Sequence, residues 1–328
     1  MKSSTTWTVD RDGLPRGGLR ECLAAATAAP SVHNSQPWRF RLGDGSVEVL
    51  VDRERQLPVL DPHGRELMIS VGAAVMNLTV AILAHGRVPM LHLLPDPGDP
   101  DLAARVTLGP STHTPPTARM LADAIPQRHT SRHPFKAIAV PPAVLNDLTA
   151  AARTELARLT VLDRDTRETV LDLIRIAEHR RRHEPAYWRE LSDWTRGAPD
   201  RHDGVPVEAF GPWDALETVP IRDFSLVRPV PRRRLATFEN APTIAVLYTP
   251  GDTPYHWLHA GQALQRVLLT ATVRGLASTL MTQPVELPDL RALLEEGADG
   301  YSAQAVLRFG YGPPGAPSPR RPIEDVLA

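Results

Sequence analysis

Between Pro30 and Trp38 the chain reads Pro-Ser-Val-His-Asn-Ser-Gln-Pro-Trp. Ser31, His33, Asn34 and Gln36 set four hydrogen-bonding side chains within six residues, and the flanking prolines limit the backbone. Such a loop suits a polar, planar ligand that needs both donors and acceptors. The alternative is a helix-ending loop whose Ser and Asn serve only the backbone. The density of groups between two prolines favours the binding loop. Two histidine pairs, His129/His133 and His179/His183, are spaced to share a helix face, but no H-E-x-x-H and no cysteine cluster accompanies them. No metal site is expected. Neither a G-x-G-x-x-G nor a Walker loop occurs, nor a G-x-S-x-G nucleophile elbow.

The elements that must position this loop follow from hydrophobic pattern. Residues 17–29 read as a helix halted by Pro30, and WRFRL and SVEVLVD as strands joined by the turn Gly43-Asp44-Gly45. Arg65 to His85 is apolar almost all round, so a deeply buried helix is expected there, broken by small residues and Asn77 rather than membrane-spanning. LHLLP and ARVTLG are strands, and the proline-rich STHTPPTA closes a first half. A helix at Met120–Ile125, another over 141–156 and a strand, ARLTVLD, open the second half. A single charged helical stretch is expected over 164–194, then an irregular Pro-, Gly- and Arg-rich segment over 195–240 with Phe210, Trp213 and Phe224. TIAVLYT is a strand, residues 261–278 a second buried helix, and YSAQAVLRFGYG a last strand.

The two buried helices resemble each other. GAAVMNLTVAILAHG runs from Gly72 to Gly86 and GQALQRVLLTATVRG from Gly261 to Gly275, with apolar residues at matching offsets. The order of the elements around them points to an internal duplication. Helices with a mostly antiparallel sheet make an α+β layout rather than a regular βαβ series. The 328 residues carry 37 Lys+Arg against 38 Asp+Glu, a balance that argues against a nucleic-acid footprint. Only Lys2 and Lys136 are lysines, so an arginine count by itself signals nothing. The single Cys22 leaves no internal disulfide, and MKSSTTWTVDRDG lacks the apolar core of an export signal. A cytoplasmic protein with no membrane partner is the expectation.

The helix followed by Ala-Pro-Ser-Val-His-Asn-Ser-Gln-Pro-Trp resembles the nitroreductase superfamily signature, close to A-P-S-x-x-N-x-Q-P-W. TLMTQPVE, AVLRFGYG and PRRPIEDVL follow in that family's order. The whole chain is similar to the duplicated Acg-type branch of actinobacteria, in which one polypeptide mimics the family dimer. The resemblance implies a nitroreductase-like fold of two tandem halves, 1–117 and 118–328, with antiparallel sheets around buried central helices. A lid-like insertion is implied over about 175–235, containing DGVPVEAFGP and IRDF.

That resemblance also implies FMN. The family's Arg-rich motif matches Arg128-His129-Thr130-Ser131-Arg132, departing from it at His129 and Thr130. No such motif stands in VDRDGLPRGG, and no second PSxxN loop follows LNDLTAAARTEL, so one FMN per chain is expected. Arg128, Arg132 and Arg321 would take the phosphate, with Arg320 adjacent. Pro30, Ser31, Val32, His33, Asn34 and Gln36 would meet the ribityl chain or the ring edge, and Thr282, Gln283 and Pro284 would face flavin N5. The implied function is an FMN-dependent oxidoreductase passing hydride to a small electron-poor acceptor, with NAD(P)H as a transient donor. The alternative is an FMN-binding storage or redox-sensing protein with a closed lid. A duplicated chain supplies its own interface, so a monomer acting as a pseudo-dimer is expected.

Overall fold

The computed structural model describes residues 17–195, 197, 201–214, 216–231 and 233–328. The N-terminal residues 1–16, with the export and arginine-motif readings made on them, lie outside the described residues, as do positions 196, 198–200, 215 and 232. Helix α1 (Gly18–Thr27) leads into β1 (Trp38–Gly43) and β2 (Ser46–Val51), paired antiparallel with Trp38 opposite Val51. Then come α2 (Arg65–Ala84), β3 (Arg87–Leu93) and β4 (Leu102–Ser111), and the four strands form one antiparallel sheet in the order β1-β2-β4-β3. After α3 (Pro116–Ala124), the sequence α4 (Pro142–Thr154), β5 (Arg158–Val161), β8 (Thr243–Thr249), α7 (Pro254–Val273), β9 (Ala277–Leu280) and β10 (Ser302–Gly310) builds a second. Its order is β5-β8-β10-β9, also antiparallel throughout. Each sheet thus joins strand, strand, helix, strand, strand in the same spatial order.

Burial follows the layers. β1 alternates between buried and exposed residues, because one face of the first sheet meets α1 and α2 and the other meets solvent. β10 is buried along nearly its whole length. Leu307 and Phe309 pack with α4 and α7 on one side, and Val306 packs with α5 (Arg164–Arg182) and α8 (Pro288–Glu295) on the other. By length and mean hydropathy, 2.1, α2 could cross a membrane, which the reading of its small residues and Asn77 did not allow for. Yet 83% of that window is buried inside the protein. α2 and α7 cross at two glycines: a Cβ on Gly72 would lie 2.2 Å from the Leu258 carbonyl oxygen, and one on Gly261 2.0 Å from that of Ile69. Asn77 bridges the helices, accepting from Gln265 (2.7 Å) and donating to the Ala25 carbonyl (2.8 Å).

Three readings of the chain change. The charged stretch is two helices, α5 and α6 (Pro185–Asp193), because Pro185 bars α-helical backbone at the residue before it. The second buried helix begins at Pro254 and ends at Val273; Gly275, at φ +71°, turns the chain into β9 where helix was expected to continue. The irregular segment, with two-residue strands β6 (Trp213–Asp214) and β7 (Leu235–Ala236), is packed: Val205, Phe210 and Phe224 share a core with Leu57, Leu60 and Tyr187. It stands between β5 and β8, where the first sheet has only the turn at Gly43–Gly45.

Candidate functional site

The loop after α1 adopts a backbone that side chains resist. His33, Asn34 and Gln36 all have φ between +51° and +55°, three left-handed non-glycine residues within four positions. Surrounding contacts hold them there. Ser31 Oγ accepts from the Gln36 N–H (2.9 Å), and the Gln36 side-chain amide donates to His202 O (2.9 Å). Asn34 Nδ2 donates to Gly204 O and Pro319 O, both at 3.0 Å. The C-terminal tail returns across the molecule to meet this loop, anchored by α9 (Ile323–Val326), which buries Ile323 and Val326 in the first core. Arg128–Arg132 lies along β9, where the Ser131 N–H donates to Ser278 O (2.8 Å) and Thr279 Oγ1 donates to Ser131 O.

These segments line an open cavity. Pro30, Ser31, Val32, His33, Asn34, Arg128, His129, Thr130, Arg132, Thr282, Gln283 and Arg320 line it. Gln36, Pro284 and Arg321 do not. Gln36 is a brace, with its Oε1 accepting from the Arg321 N–H (2.8 Å). The Arg321 guanidinium points instead to Asp52 (3.4 Å), Gln36 O and Asp325 O. Arg320, expected only as a neighbour, is the tail arginine on the cavity. Asn34 is largely committed to protein, since its Oδ1 accepts from Arg320 Nη1 (2.9 Å).

The arginines are poorly neutralised. Arg128 is 4% exposed and donates to Ala28 O (3.3 Å); Arg320 donates to the same carbonyl. The Nε atoms of both are buried without a partner among the described residues. Arg132 donates to Ala209 O (2.8 Å) and lies over the Phe224 ring, 4.8 Å from its centroid. Among the described residues none of the three forms an ion pair with a carboxylate. Burial, with Arg320 alongside, pushes Arg128 down to about 9, and burial, with Arg222 alongside, pushes Arg132 down to about 10. Positive charge without a counter-ion is the site's main electrostatic property, and an anion would relieve it.

Sequence reasoning missed the opposite wall. α2 contributes Glu66, Ile69, Ser70 and Ala73, and the segment between α6 and β8 contributes Val205, Arg222 and Phe224. Arg222 is 8% exposed; its Nη2 donates to Glu286 Oε1 (2.5 Å) and its Nε stands 3.6 Å from Glu178. Its Nη1 faces His33 Nε2 at 3.5 Å, and His33 meets Phe224 edge-on, with centroids 5.5 Å apart. Burial, with Arg222 and Arg132 beside it, holds His33 well below the usual imidazole range, so it is neutral at pH 7. The available signal was a charged pair, Arg65-Glu66, opening an otherwise apolar helix, and an arginine within the IRDF segment. Among the described residues no group of three or more His, Cys, Asp or Glu is placed to hold a metal.

Curated relatives match along 94% of the chain. The "Putative NAD(P)H nitroreductase acg" of Mycobacterium tuberculosis H37Rv is 32% identical over 321 residues, 94% of this chain and 95% of its own. The "Uncharacterized protein Rv3127" of the same strain is 33% identical over 318 residues, 94% and 92% of the two chains. Among solved structures, the FMN-dependent nitroreductase NfnB of Mycobacterium smegmatis in complex with NADPH aligns at a TM-score of 0.41 and 17% identity, covering 64% of this chain and 97% of that one. The sequence profile described as Nitroreductase family matches residues 125–311. That span and the relatives above 30% identity place the chain in the nitroreductase family.

Proposed function

We propose that the cavity holds one FMN per chain and that the protein is an FMN-dependent oxidoreductase. The observation that carries this reading is the set of guanidinium groups on the cavity, Arg128 buried and Arg132 and Arg320 half-buried, that have no carboxylate partner among the described residues, with buried, partnerless Nε atoms on Arg128 and Arg320. A phosphate dianion satisfies such a set bidentately. Arg128 and Arg320, which share the Ala28 carbonyl, would hold the phosphate. Arg132 stands with Arg222 and His33 towards the other end, where a cation suits an electron-rich ring edge. Thr282 and Gln283 line the wall between α2 and β10 and would face the flavin. Bound there, the flavin supplies two-electron hydride chemistry, with NAD(P)H as donor and a small electron-poor acceptor. The relatives' printed names, "Putative NAD(P)H nitroreductase" among them, agree with it.

The equal strand order of the two sheets and the reciprocal glycine contacts of α2 and α7 support the two-half reading, 1–117 and 118–328. A cytoplasmic monomer is part of that reading. The insertion supports a second one, storage or sensing behind a lid, because Val205, Arg222 and Phe224 form part of the cavity wall. Anaerobic mixing with NADH and NADPH separates the two. Bleaching of the flavin band, then recovery with a quinone or nitroaromatic, is expected of the oxidoreductase; a yellow protein inert to both nucleotides but bleached by dithionite is expected of storage. Arg128→Ala with Arg320→Ala should yield colourless folded protein, whereas Arg321→Ala should stay yellow. Full flavin content in the double variant would refute the phosphate assignment.

A further inference from the structure

Glu66 stands apart from the groups that would hold the cofactor. It is 4% exposed, sits in the first turn of α2 and lines the cavity one turn before Ser70. Arg65 Nη2 donates to its Oε1, and among the described residues no hydrogen bond engages its second oxygen. Arg65 is itself fixed, donating to Gln304 O (2.9 Å), Gln304 Oε1 (3.0 Å) and Val285 O (3.2 Å). The carboxyl is therefore pinned beside the Thr282–Glu286 turn, the segment that the flavin reading sets against the reactive edge of the ring.

The other acids near this point, Asp61, Glu178 and Glu286, do not line the cavity, although Glu178 Oε1 and Glu286 Oε2 also lack a hydrogen-bond partner among the described residues. Asp61 Oδ2 accepts from the Leu67 N–H (2.8 Å). Glu286 Oε1 accepts from Arg222 and from Thr282 Oγ1 (2.9 Å). His33 is neutral and presents Nε2 to a guanidinium, which leaves that nitrogen an acceptor rather than a donor. We propose that Glu66 is the acid–base residue of the site, the donor of the proton that accompanies hydride to the bound acceptor. This deepens the FMN oxidoreductase reading and rests on it. With reduced FMN held here, a quinone or nitro acceptor would be supplied with two electrons as hydride and would collect negative charge on oxygen. The new O–H bond forms there as the Glu66 O–H bond breaks, its electron pair remaining on the carboxylate, which regains a proton from solvent. Burial raises Glu66 to about 7; Arg65 opposes that rise, and Asp61 and Glu286 add to it, while Arg222 also lowers it. A carboxyl in that range is matched to proton transfer at neutral pH.

Glu66→Gln in the FMN-loaded protein tests this. After anaerobic reduction, reoxidation by benzoquinone should slow by about a hundredfold and lose its dependence on pH between 6 and 8, the scale usual for a general acid. Reoxidation by ferricyanide, which takes electrons without a proton, should keep its wild-type rate. Infrared titration of the flavin-free chain should show a protonated carboxyl band that disappears over the same pH range in wild type and is absent from the variant. Equal quinone rates, equal slowing with both oxidants, or an unchanged infrared band would each overturn the role of Glu66. A wild-type chain that retains no FMN would instead overturn the cofactor reading beneath it.

Discussion

At the scale of single residues, this protein buries charge in two contrasting ways. Arg308 is fully buried on β10 and completely answered: Glu239 binds it at 2.6 Å, and its guanidinium lies over the Phe135 ring at 3.7 Å. Arg308→Met should cost about 3–5 kcal/mol in urea denaturation, since it leaves Glu239 buried and unpaired, and Glu239→Gln added to it should recover part of that loss. Arg128, buried, and Arg132 and Arg320, half-buried, have no such answer among the described residues, which is what marks the site. Glu66 is buried with a partial one. Its carboxyl is raised from 4.5 to about 7, so the unfolded chain gives up the proton before the folded one does. Stability on its account is highest below pH 4.5, falls as pH rises towards 7 and is level above. The melting temperature of Glu66→Gln relative to wild type should accordingly rise across pH 4.5–7 and no further.

Elements bring these residues together. The α2–α7 crossing depends on two glycines that allow backbone contact, so Gly261→Ala must force the helices apart and should lose about 3 kcal/mol, read by chemical denaturation. The packing of the segment between α6 and β8 depends on Arg222. Arg222→Ala would leave Glu286 and Glu178 buried without their guanidinium, a change of about 3–5 kcal/mol, and limited proteolysis should cut within 197–235 faster than in wild type. Helix and strand existence was legible in the chain because hydrophobic period and Pro/Gly punctuation are local signals. The break before Pro185 was legible too and was passed over. The switch from α7 into β9 was harder to see, because Gly275 lies inside a run whose apolar pattern continues past it.

Across the whole molecule, the two sheets carry the same strand order and the two central helices pack reciprocally, which supports the proposed arrangement of two halves in one chain. Sedimentation should find a particle of 36.0 kDa, and flavin released by denaturation should number one per chain. The sequence by itself determined the α+β class, the buried helices, the two hydrogen-bonding segments at Pro30–Gln36 and Arg128–Arg132, and the family resemblance. Each depends on residues close together in the chain. Only the tertiary structure decided that the tail brings Arg320 rather than Arg321 to the cavity, that Gln36 and Asn34 act as braces, and that Glu66 and Arg222 form the opposite wall. Those contacts join residues 150 or more positions apart, and the direction of a side chain across such a distance is set by packing, which no local pattern encodes.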